Sequence, residues 1–344
     1  MESDSAAPLR EMWYYAMPSR RLRPGRMVAR KFLGEPLLFG RARDGVAFAV
    51  RDLCPHRGMP LSEGRFDGAE VQCPLHGWRF DHQGRCTAIP SLTADSKFDC
   101  SRLRVKAYKV EEVQGGIWVF FGDNPEGAAD IPVLPAIGRD RQPDLIWSLK
   151  VDCSLDTGVF GQIDPSHNPF VHISWWWRRK AILEKTKEFV PWSYGFTTLP
   201  HPPSSNYSPY KLLGSPRTQL FFRLPGIRIE HTTFGKHYFV ILWTVTPLDD
   251  GHIEMTYIAY WTPWFLTLLK PLLMWGARIF SFQDRDALNL QQQGLRYGPS
   301  LMLVDDADTQ ARWYFQLKRE YRRAHSEGRP FENPVKRRTL RFRS

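Results

Sequence analysis

The sequence predicts an α+β protein made of two parts. Short strands separated by Gly, Pro and Asp clusters fill about the first 120 residues, which is typical of a small all-β unit. Longer strands and then two helices follow, and this order favours an antiparallel sheet with C-terminal helices. A chain of 344 residues also exceeds one small module. We therefore expect a first domain at 1–130 and a second at 131–344.

The strands of the first part are read from short apolar or alternating runs. We predict them at Glu35–Phe39, Val46–Val50, Leu103–Val110 and Ile117–Phe121. The stretch Gly122–Gln142 is rich in Gly, Pro, Asp and Ala, and we interpret it as a linker with the domain boundary near residue 130.

The second part contains the longer strands, which we expect to pair in consecutive order. They are predicted at Thr218–Arg223, Ile227–Thr232, His237–Thr246 and His252–Trp261. One helix is predicted over Trp264–Gln293. Another should begin after a cap at Asp305-Asp306 and carry Trp313, Leu317 and Tyr321 on one face.

Composition and charge narrow the class of protein. The chain is 42% hydrophobic, 24% charged and has a net charge of +11. A basic surface can bind nucleic acid, an anionic membrane or an acidic protein, but no nucleic-acid motif is present, so an acidic redox partner is favoured. The odd number of cysteines, five, argues against a disulfide framework. With no signal-peptide pattern, we expect a cytoplasmic, reducing location in which thiols are free for metal.

The most apolar segment runs over residues 261–282. Lys270, Arg278, Pro263 and Pro271 interrupt it, whereas a membrane-spanning helix needs about 20 mostly apolar residues. We predict a core helix, with shallow peripheral contact at a membrane as the alternative.

A first candidate metal centre lies in CPHRGMPLSEGRFDGAEVQCPLHGW, residues 54–78. Cys54-x-His56 and Cys73-x-x-His76 are separated by 16 residues, so two loops each offer one thiolate and one imidazole. Zinc is one candidate, although zinc fingers usually group cysteines and histidines separately. A Rieske [2Fe–2S] cluster takes two cysteines and two histidines, and two matched loops supply them directly.

A second candidate centre lies in DPSHNPFVH, residues 164–172. Asp164, His167 and His172 supply the residue types of a two-His, one-carboxylate iron site with open positions. Asp164 and His167 would share a helical face, but on a regular helix His167 and His172 would point about 140° apart. We expect a bend at Pro169 to bring His172 round.

The residues of the first centre carry a family resemblance. CPHRG, CPLHGW and the extension WRFDHQGRC with Ile89-Pro90 resemble the ring-hydroxylating α-subunit family of Rieske non-haem iron oxygenases, over about residues 13–122. The resemblance implies a [2Fe–2S] cluster on Cys54, His56, Cys73 and His76. It also implies a mononuclear Fe(II) in a catalytic domain of the helix-grip, START-like kind.

The same resemblance assigns roles at the second centre. His167 and His172 would bind the iron, whereas Asp164 would bridge an iron-binding histidine to a cluster histidine of the neighbouring subunit. Asp284 in the long helix resembles the family's distal ligand carboxylate. Asp286 and Glu254 are rival carboxylates for this role.

The residues around the second centre bear on the class of substrate. Many family members carry Asn or Glu-Asn where this chain has Phe160-Gly161-Gln162, and its D-P-S-H form resembles the pheophorbide-oxygenase-like branch, which acts on bulky lipophilic molecules. We expect a hydrophobic, polycyclic, terpenoid or sterol-like substrate. Candidate pocket residues are Trp175, Trp176, Trp177, Phe221, Phe222, Phe239 and the 261–282 segment.

The resemblance implies hydroxylation or oxidative demethylation with O2 and electrons from a separate ferredoxin or flavin reductase, since no nucleotide-binding glycine motif is present. It further implies a homotrimer in which His76, Asp164 and His167 link neighbouring subunits. We favour mono-oxygenation, with aromatic cis-dihydroxylation as the alternative. Two alternative hypotheses place the protein in other functional classes: a Rieske electron-transfer protein, or a lipid-binding protein without turnover.

Overall fold

The computed structural model describes residues 8–127, 130–134, 137–174, 182–203 and 215–344. The chain separates into two compact units, one running from Arg10 to Gln142 and the other comprising Pro143 to Ser344 together with Pro8 and Leu9. Residues 131–142 thus group with the first unit, although the sequence was divided near residue 130. Gln114 helps to hold this segment on the first unit. Its side chain accepts a hydrogen bond from the Leu134 amide at 3.1 Å and donates one to the Ile137 carbonyl at 2.9 Å.

The first unit is built from short antiparallel strands in three sheets, with orders β1-β11-β10, β2-β3-β4-β9 and β5-β6-β7-β8. The strands are β1 Met12–Pro18, β2 Arg26–Phe32, β3 Glu35–Arg41, β4 Ala47–Arg51, β5 Arg65–Phe66, β6 Val71–Gln72, β7 Arg79–Phe80, β8 Cys86–Ala88, β9 Ala107–Tyr108, β10 Val110–Val113 and β11 Gly116–Phe121.

The predicted strand Leu103–Val110 is wrong as a single element. Only Ala107–Tyr108 and the start of Val110–Val113 lie in strands there. The backbone before them is used elsewhere, because the Leu103 carbonyl accepts from the Cys86 amide and the Val105 amide donates to Gly84. These bonds tie the segment to the turn before β8 instead of to a sheet neighbour.

The second unit contains one eight-stranded antiparallel sheet, described in the order β12-β18-β17-β16-β15-β14-β13-β19. Its strands are β12 Leu145–Val151, β13 Glu184–Trp192, β14 Gly195–Thr198, β15 Arg217–Arg223, β16 Ile227–Phe234, β17 His237–Asp249, β18 His252–Trp261 and β19 Arg338–Arg343. The described helices are α1 Leu155–Ile163, α2 Asn168–Val171, α3 Trp264–Leu268, α4 Lys270–Leu295 and α5 Thr309–Ser326. The α+β class is confirmed, as is the consecutive pairing from β15 to β18.

Two helix predictions need correction. The helix expected over Trp264–Gln293 is split at Leu269, because Pro271 disfavours helical backbone before it and is itself accommodated in the first turn of α4. Helix α5 begins at Thr309 rather than after Asp306. Its N-cap is Asp308, whose carboxylate accepts from the Val304 amide 2.6 Å away instead of from the helix.

Helix α4 packs across the sheet and so positions its polar face over the strands. The Trp147 indole on β12 donates to Ser281 Oγ at 2.8 Å and meets Phe282 edge-on, with ring centroids 5.9 Å apart. Leu145, Ala259 and Trp261 form the apolar contact beneath the start of α4. Among the described helices, none combines the length and apolarity needed to cross a membrane.

Candidate metal centres and their cavity

The two Cys-His loops of the first unit have the same backbone geometry. The Cys54 amide donates to the Met59 carbonyl and the Gly58 amide to Cys54, both at 2.8 Å. In the second loop the Cys73 amide donates to Trp78 at 2.8 Å and the Gly77 amide to Cys73 at 3.1 Å. Both glycines have positive φ, +69° and +71°, a conformation that other residues adopt only with strain.

These loops bring the four predicted ligand residues together with opposite exposure. Cys54 and Cys73 are each 2% exposed and pack among Leu61 and Phe80, whereas His56 and His76 are exposed, with ring centroids 4.7 Å apart. Burial raises the pKa of the Cys54 thiol, and the adjoining Cys73 adds to the shift. Two adjacent buried thiols become thiolates only beside positive charge, so this donor set fits a [2Fe–2S] cluster with its cysteine side in the core.

In the second unit His167, His172 and Asp284 converge. One ligand atom of each lies within 4.8 Å of the others. Asp284 Oδ1 is 3.3 Å from His172 Nε2 and 3.6 Å from His167 Nε2. His172 is 1% exposed, and its Nε2 has no hydrogen-bond partner among the described residues. A buried, unsatisfied imidazole nitrogen aimed at a carboxylate fits the mononuclear iron of a two-His, one-carboxylate set.

The backbone reaches this geometry differently from the sequence expectation. Asp164 and His167 do not share a helix, because α1 ends at Ile163 and α2 begins only at Asn168. Pro169 makes no bend, since it sits in the first turn of α2, where proline is tolerated. His172 turns toward Asp284 because helical backbone ends at Val171, and φ −91° with ψ 81° redirects the chain.

Both histidines have their other ring nitrogen occupied. His172 Nδ1 lies 3.2 Å from Gln283 Oε1, and Gln283 Nε2 donates to Ser174 Oγ at 3.0 Å. His167 Nδ1 lies 2.9 Å from the carbonyl oxygen of Asp164. Because both acceptors are oxygens, each Nδ1 carries the proton, which leaves each Nε2 free to bind metal.

Gln283 and Phe280 were missed by sequence reasoning. The Phe280 ring stacks on His172 with centroids 3.4 Å apart, while Gln283 orients the same imidazole. Positions 280, 283 and 284 follow an i, i+3, i+4 spacing and therefore share one face of α4. Counting back along that face from the predicted ligand Asp284 could have found both residues.

Asp164 and the two rival carboxylates occupy different settings. Asp164 Oδ2 is 3.5 Å from His167 Nδ1, and Oδ1 accepts from the Ser166 amide at 2.7 Å. Asp286 has a 62% exposed side chain and pairs with Arg285. Glu254 lies on β18 opposite Lys150. Neither rival belongs to the metal-binding cluster found among the described residues.

A cavity of about 1090 Å³ opens beside the His167, His172 and Asp284 cluster. Phe239, Trp261, Leu272 and Leu273 contribute to an apolar lining, in line with the expectation for Phe239 and the 261–282 segment. Phe221 and Phe222 are not lining residues, because Phe221 packs on Trp192 and Phe222 on Phe196 and Tyr314. Trp175, Trp176 and Trp177 lie outside the described residues.

Comparison with known proteins agrees with both units. The Rieske [2Fe-2S] domain family matches residues 12–109. Chlorophyllide a oxygenase of Chlamydomonas reinhardtii is 35% identical over 169 residues, which cover 48% of this chain and 25% of that protein. The 4beta-methylsterol monooxygenase of Methylococcus capsulatus is 38% identical over 125 residues, 36% of this chain and 33% of that protein. The matches thus span a third or less of these two relatives' own length.

The fold as a whole also matches a solved structure. Apo dicamba monooxygenase has a TM-score of 0.72 at 20% identity, covering 94% of this chain and 100% of that chain. The fold and the two donor sets define a protein with a Rieske domain and a non-haem iron domain. Residues 12–109 belong to the Rieske [2Fe-2S] domain family, and the chain is similar to Rieske non-haem iron oxygenases, with relatives consistent with the pheophorbide-oxygenase-like branch. The cofactors are accordingly a Rieske [2Fe–2S] cluster and a mononuclear iron.

Proposed function

We propose that this protein is the oxygenase component of a system that hydroxylates or oxidatively demethylates a hydrophobic, polycyclic, terpenoid or sterol-like substrate with O2. The observation that carries the proposal is the convergence of His167, His172 and Asp284 at the large, mostly apolar cavity. Iron bound by these three side chains would supply the activation of O2, and a [2Fe–2S] cluster would supply single electrons.

The chain's own residues would prepare this chemistry. Cys54, His56, Cys73 and His76 would hold the cluster, in the domain proposed at 1–130. His167, His172 and Asp284 would hold the iron in the domain proposed at 131–344. Gln283 and Phe280 fix the His172 ring, so its free Nε2 faces Asp284 before metal arrives. Aromatic and aliphatic walls exclude water and hold the substrate body.

The substrate class is supported by the cavity and by what the relatives' names state. A volume of about 1090 Å³ accommodates a molecule with several fused rings. One relative is named for chlorophyllide a and another for a 4beta-methylsterol. Aromatic cis-dihydroxylation is the second candidate reaction.

Electrons would come from a separate ferredoxin, flavin reductase or both. The exposed His56 offers an accessible side of the cluster, and the +11 charge would steer an acidic partner. A stopped-flow reduction rate that falls as salt is added would support this; a rate independent of ionic strength would contradict it.

We propose a homotrimer in which Asp164 links His167 of one copy to His76 of the next. Phe170 and Ile173 flank His172 and are 67% and 66% exposed, so a second copy has an apolar surface to cover there. Light scattering tests this: Phe170→Lys should give monomers that keep both metals, and a wild-type monomer would rule the ring out.

We also propose a cytoplasmic location with peripheral contact at an anionic membrane. The apolar helix face formed by Trp264, Leu268, Leu272 and Trp275 is 74%, 70%, 60% and 50% exposed. No Asp or Glu occurs between residues 254 and 284, while Lys270 and Arg278 lie beside the face. Leu272 and Trp275 also line the cavity, so a lipophilic substrate could enter from the bilayer.

Vesicle sedimentation tests the membrane proposal. Trp264→Ser with Leu268→Ser should abolish binding to phosphatidylglycerol vesicles, whereas Leu290→Ser, also exposed on α4, should not. Equal binding by all three proteins would contradict the proposal. A change in oligomeric state instead of vesicle binding would assign the face to a second copy of the chain.

The test of the overall function is EPR of the dithionite-reduced protein before and after adding nitric oxide. A Rieske signal with a new high-spin iron–nitrosyl signal is expected. A Rieske signal alone in iron-supplemented protein would favour an electron-transfer protein. A lipid-binding protein without turnover would instead retain its function after His167→Ala, a change that should abolish the nitrosyl signal and turnover.

A further inference from the structure

A row of hydrogen-bond donors crosses the floor of the cavity. Arg228 on β16 lies opposite Trp243 on β17, which lies opposite Tyr257 on β18. All three line the cavity. The neighbouring rows toward the β18 C-terminus contain Glu230 with Ile241 and Ala259, and then Phe239 with Trp261. On β17 and β18 the floor therefore has one end with hydrogen-bond donors and a longer apolar part.

Two donors in this row have no acceptor in the part of the chain that the structure describes. The Tyr257 hydroxyl and the Trp243 Nε1 are buried without a hydrogen-bond partner among the described residues. Tyr257 is 9% exposed. An indole N–H can only donate, so the row offers hydrogen-bond donors that no acceptor in the described part of the chain occupies. Leaving buried donors unpaired is costly, which makes an incoming oxygen favourable there.

Arg228 adds positive charge to the same place. Its guanidinium carbon lies 4.5 Å from the Trp243 ring centroid, Nη1 donates to the Gln162 carbonyl at 2.9 Å, and Nη2 is 3.8 Å from Glu230. Burial, with the Asp284 carboxylate as a second cause, raises the pKa of Tyr257 well above its usual value, so its hydroxyl remains a donor.

We propose that Arg228, Trp243 and Tyr257 bind an acceptor oxygen, a carbonyl or carboxylate, of an otherwise hydrophobic ligand. The ligand body would lie along the rows of Ile241 with Ala259 and Phe239 with Trp261. The proposal rests on the proposed function, because the cavity is taken as the substrate site. The row lies near the metal-binding residues, because Arg228 donates to the Gln162 carbonyl at the end of α1, two residues before Asp164. The ligand is therefore oriented with its oxygen-bearing end toward the metal-binding cluster.

Equilibrium binding separates this idea from the oxygenase reaction, because it needs no turnover. Iron-loaded, cluster-replete protein under argon is titrated with androstane, androstan-3-one and androstane-17-carboxylate, and binding is followed by tryptophan fluorescence. The oxygen-bearing probes should bind at least about tenfold more tightly than androstane, as expected for a hydrogen bond to a buried donor.

Three variants assign the effect to the row. Tyr257→Phe removes only the hydroxyl and should abolish the preference for the ketone over androstane. Arg228→Met should weaken the carboxylate most, which separates an anionic from a neutral acceptor. Ile241→Ala, on the apolar row, should weaken all three probes alike. Equal binding of androstane and both oxygenated probes to wild-type protein overturns the proposal, even if oxygenase activity is found. If the preference is present and oxygenase activity is absent, the row stands and the proposed function fails.

Discussion

At the residue scale, the geometry of the candidate metal site depends on where helices end. His167 precedes α2 and His172 follows it, so neither side chain is constrained by a regular helix. Asp284 lies inside α4 and approaches both. Regular backbone therefore supplies the carboxylate, while the two chain turns around α2 supply the imidazoles.

Asp284→Asn should remove the mononuclear iron and leave the cluster intact. The amide has no charge to balance the metal and one fewer strong acceptor, so activity should fall by at least about a hundredfold. Metal analysis should give two irons per chain with an unchanged Rieske EPR signal. Asp286→Asn is the matched control, since that side chain is 62% exposed and pairs with Arg285. Retention of the nitrosyl signal in Asp284→Asn would refute the assignment.

Gln283→Leu tests the orientation of His172. Loss of the acceptor for Nδ1 frees the ring to rotate or change tautomer, so iron affinity should fall about 10–100-fold without complete loss. Iron titration followed by the nitrosyl signal measures it. Gln293→Leu, exposed on the same helix, should bind iron like wild type. Gln283→Glu, which retains an acceptor, should recover part of the affinity.

At the element scale, helices α1 and α5 are joined by one buried charge cluster. Asp156 on α1 accepts from the Tyr314 hydroxyl and the Lys318 ammonium, both at 2.5 Å. Lys318 is 2% exposed, and burial lowers its pKa despite the favourable charge of Asp156. Because α1 ends directly before Asp164, this charge cluster anchors the segment that contains Asp164 and His167.

Asp156→Asn should lower the free energy of unfolding by about 3 kcal/mol, because it removes the carboxylate with which the buried Lys318 ammonium pairs. Urea denaturation followed by circular dichroism measures the difference. Asp152→Asn should change stability little, since Asp152 is 68% exposed and lies 3.9 Å from His252. An equal loss of stability in the two variants would contradict a stabilising role for the Asp156 cluster.

At the scale of the whole molecule, the half-buried His201 links stability to pH. Burial lowers the pKa of His201 from 6.5 to about 4, and the nearby Lys187 adds to the shift. The unfolded chain therefore binds this proton first. Its contribution to stability is full above pH 6.5 and is lost as the pH falls from 6.5 toward 4.

His201→Gln should flatten that dependence, because glutamine does not titrate. The urea midpoint of wild type should fall more than that of the variant between pH 7 and pH 5. His325→Gln, at an exposed position near the end of α5, should follow the wild-type curve. Parallel curves for wild type and His201→Gln would contradict a role for His201 in acid sensitivity.

The sequence by itself determined the α+β class and the paired Cys-His loops. It also indicated the kind of cofactors, a [2Fe–2S] cluster and a mononuclear iron. These depend on local patterns: alternation in the strands, and Pro and Gly at matching places around Cys54 and Cys73. The residues proposed for the iron site could also be named from the sequence. His167 and His172 lie in one segment, and Asp284 lies far along the chain.

Tertiary structure alone decided how those residues meet. The end of α2 at Val171 depends on the contacts of the folded chain, so the sequence placed the bend at Pro169 instead. Likewise, Arg228, Trp243 and Tyr257 are far apart in sequence, and only the strand register sets them in one row. Local pattern encodes which element forms, whereas the meeting of distant side chains depends on register and packing, to which residues throughout the sheet contribute.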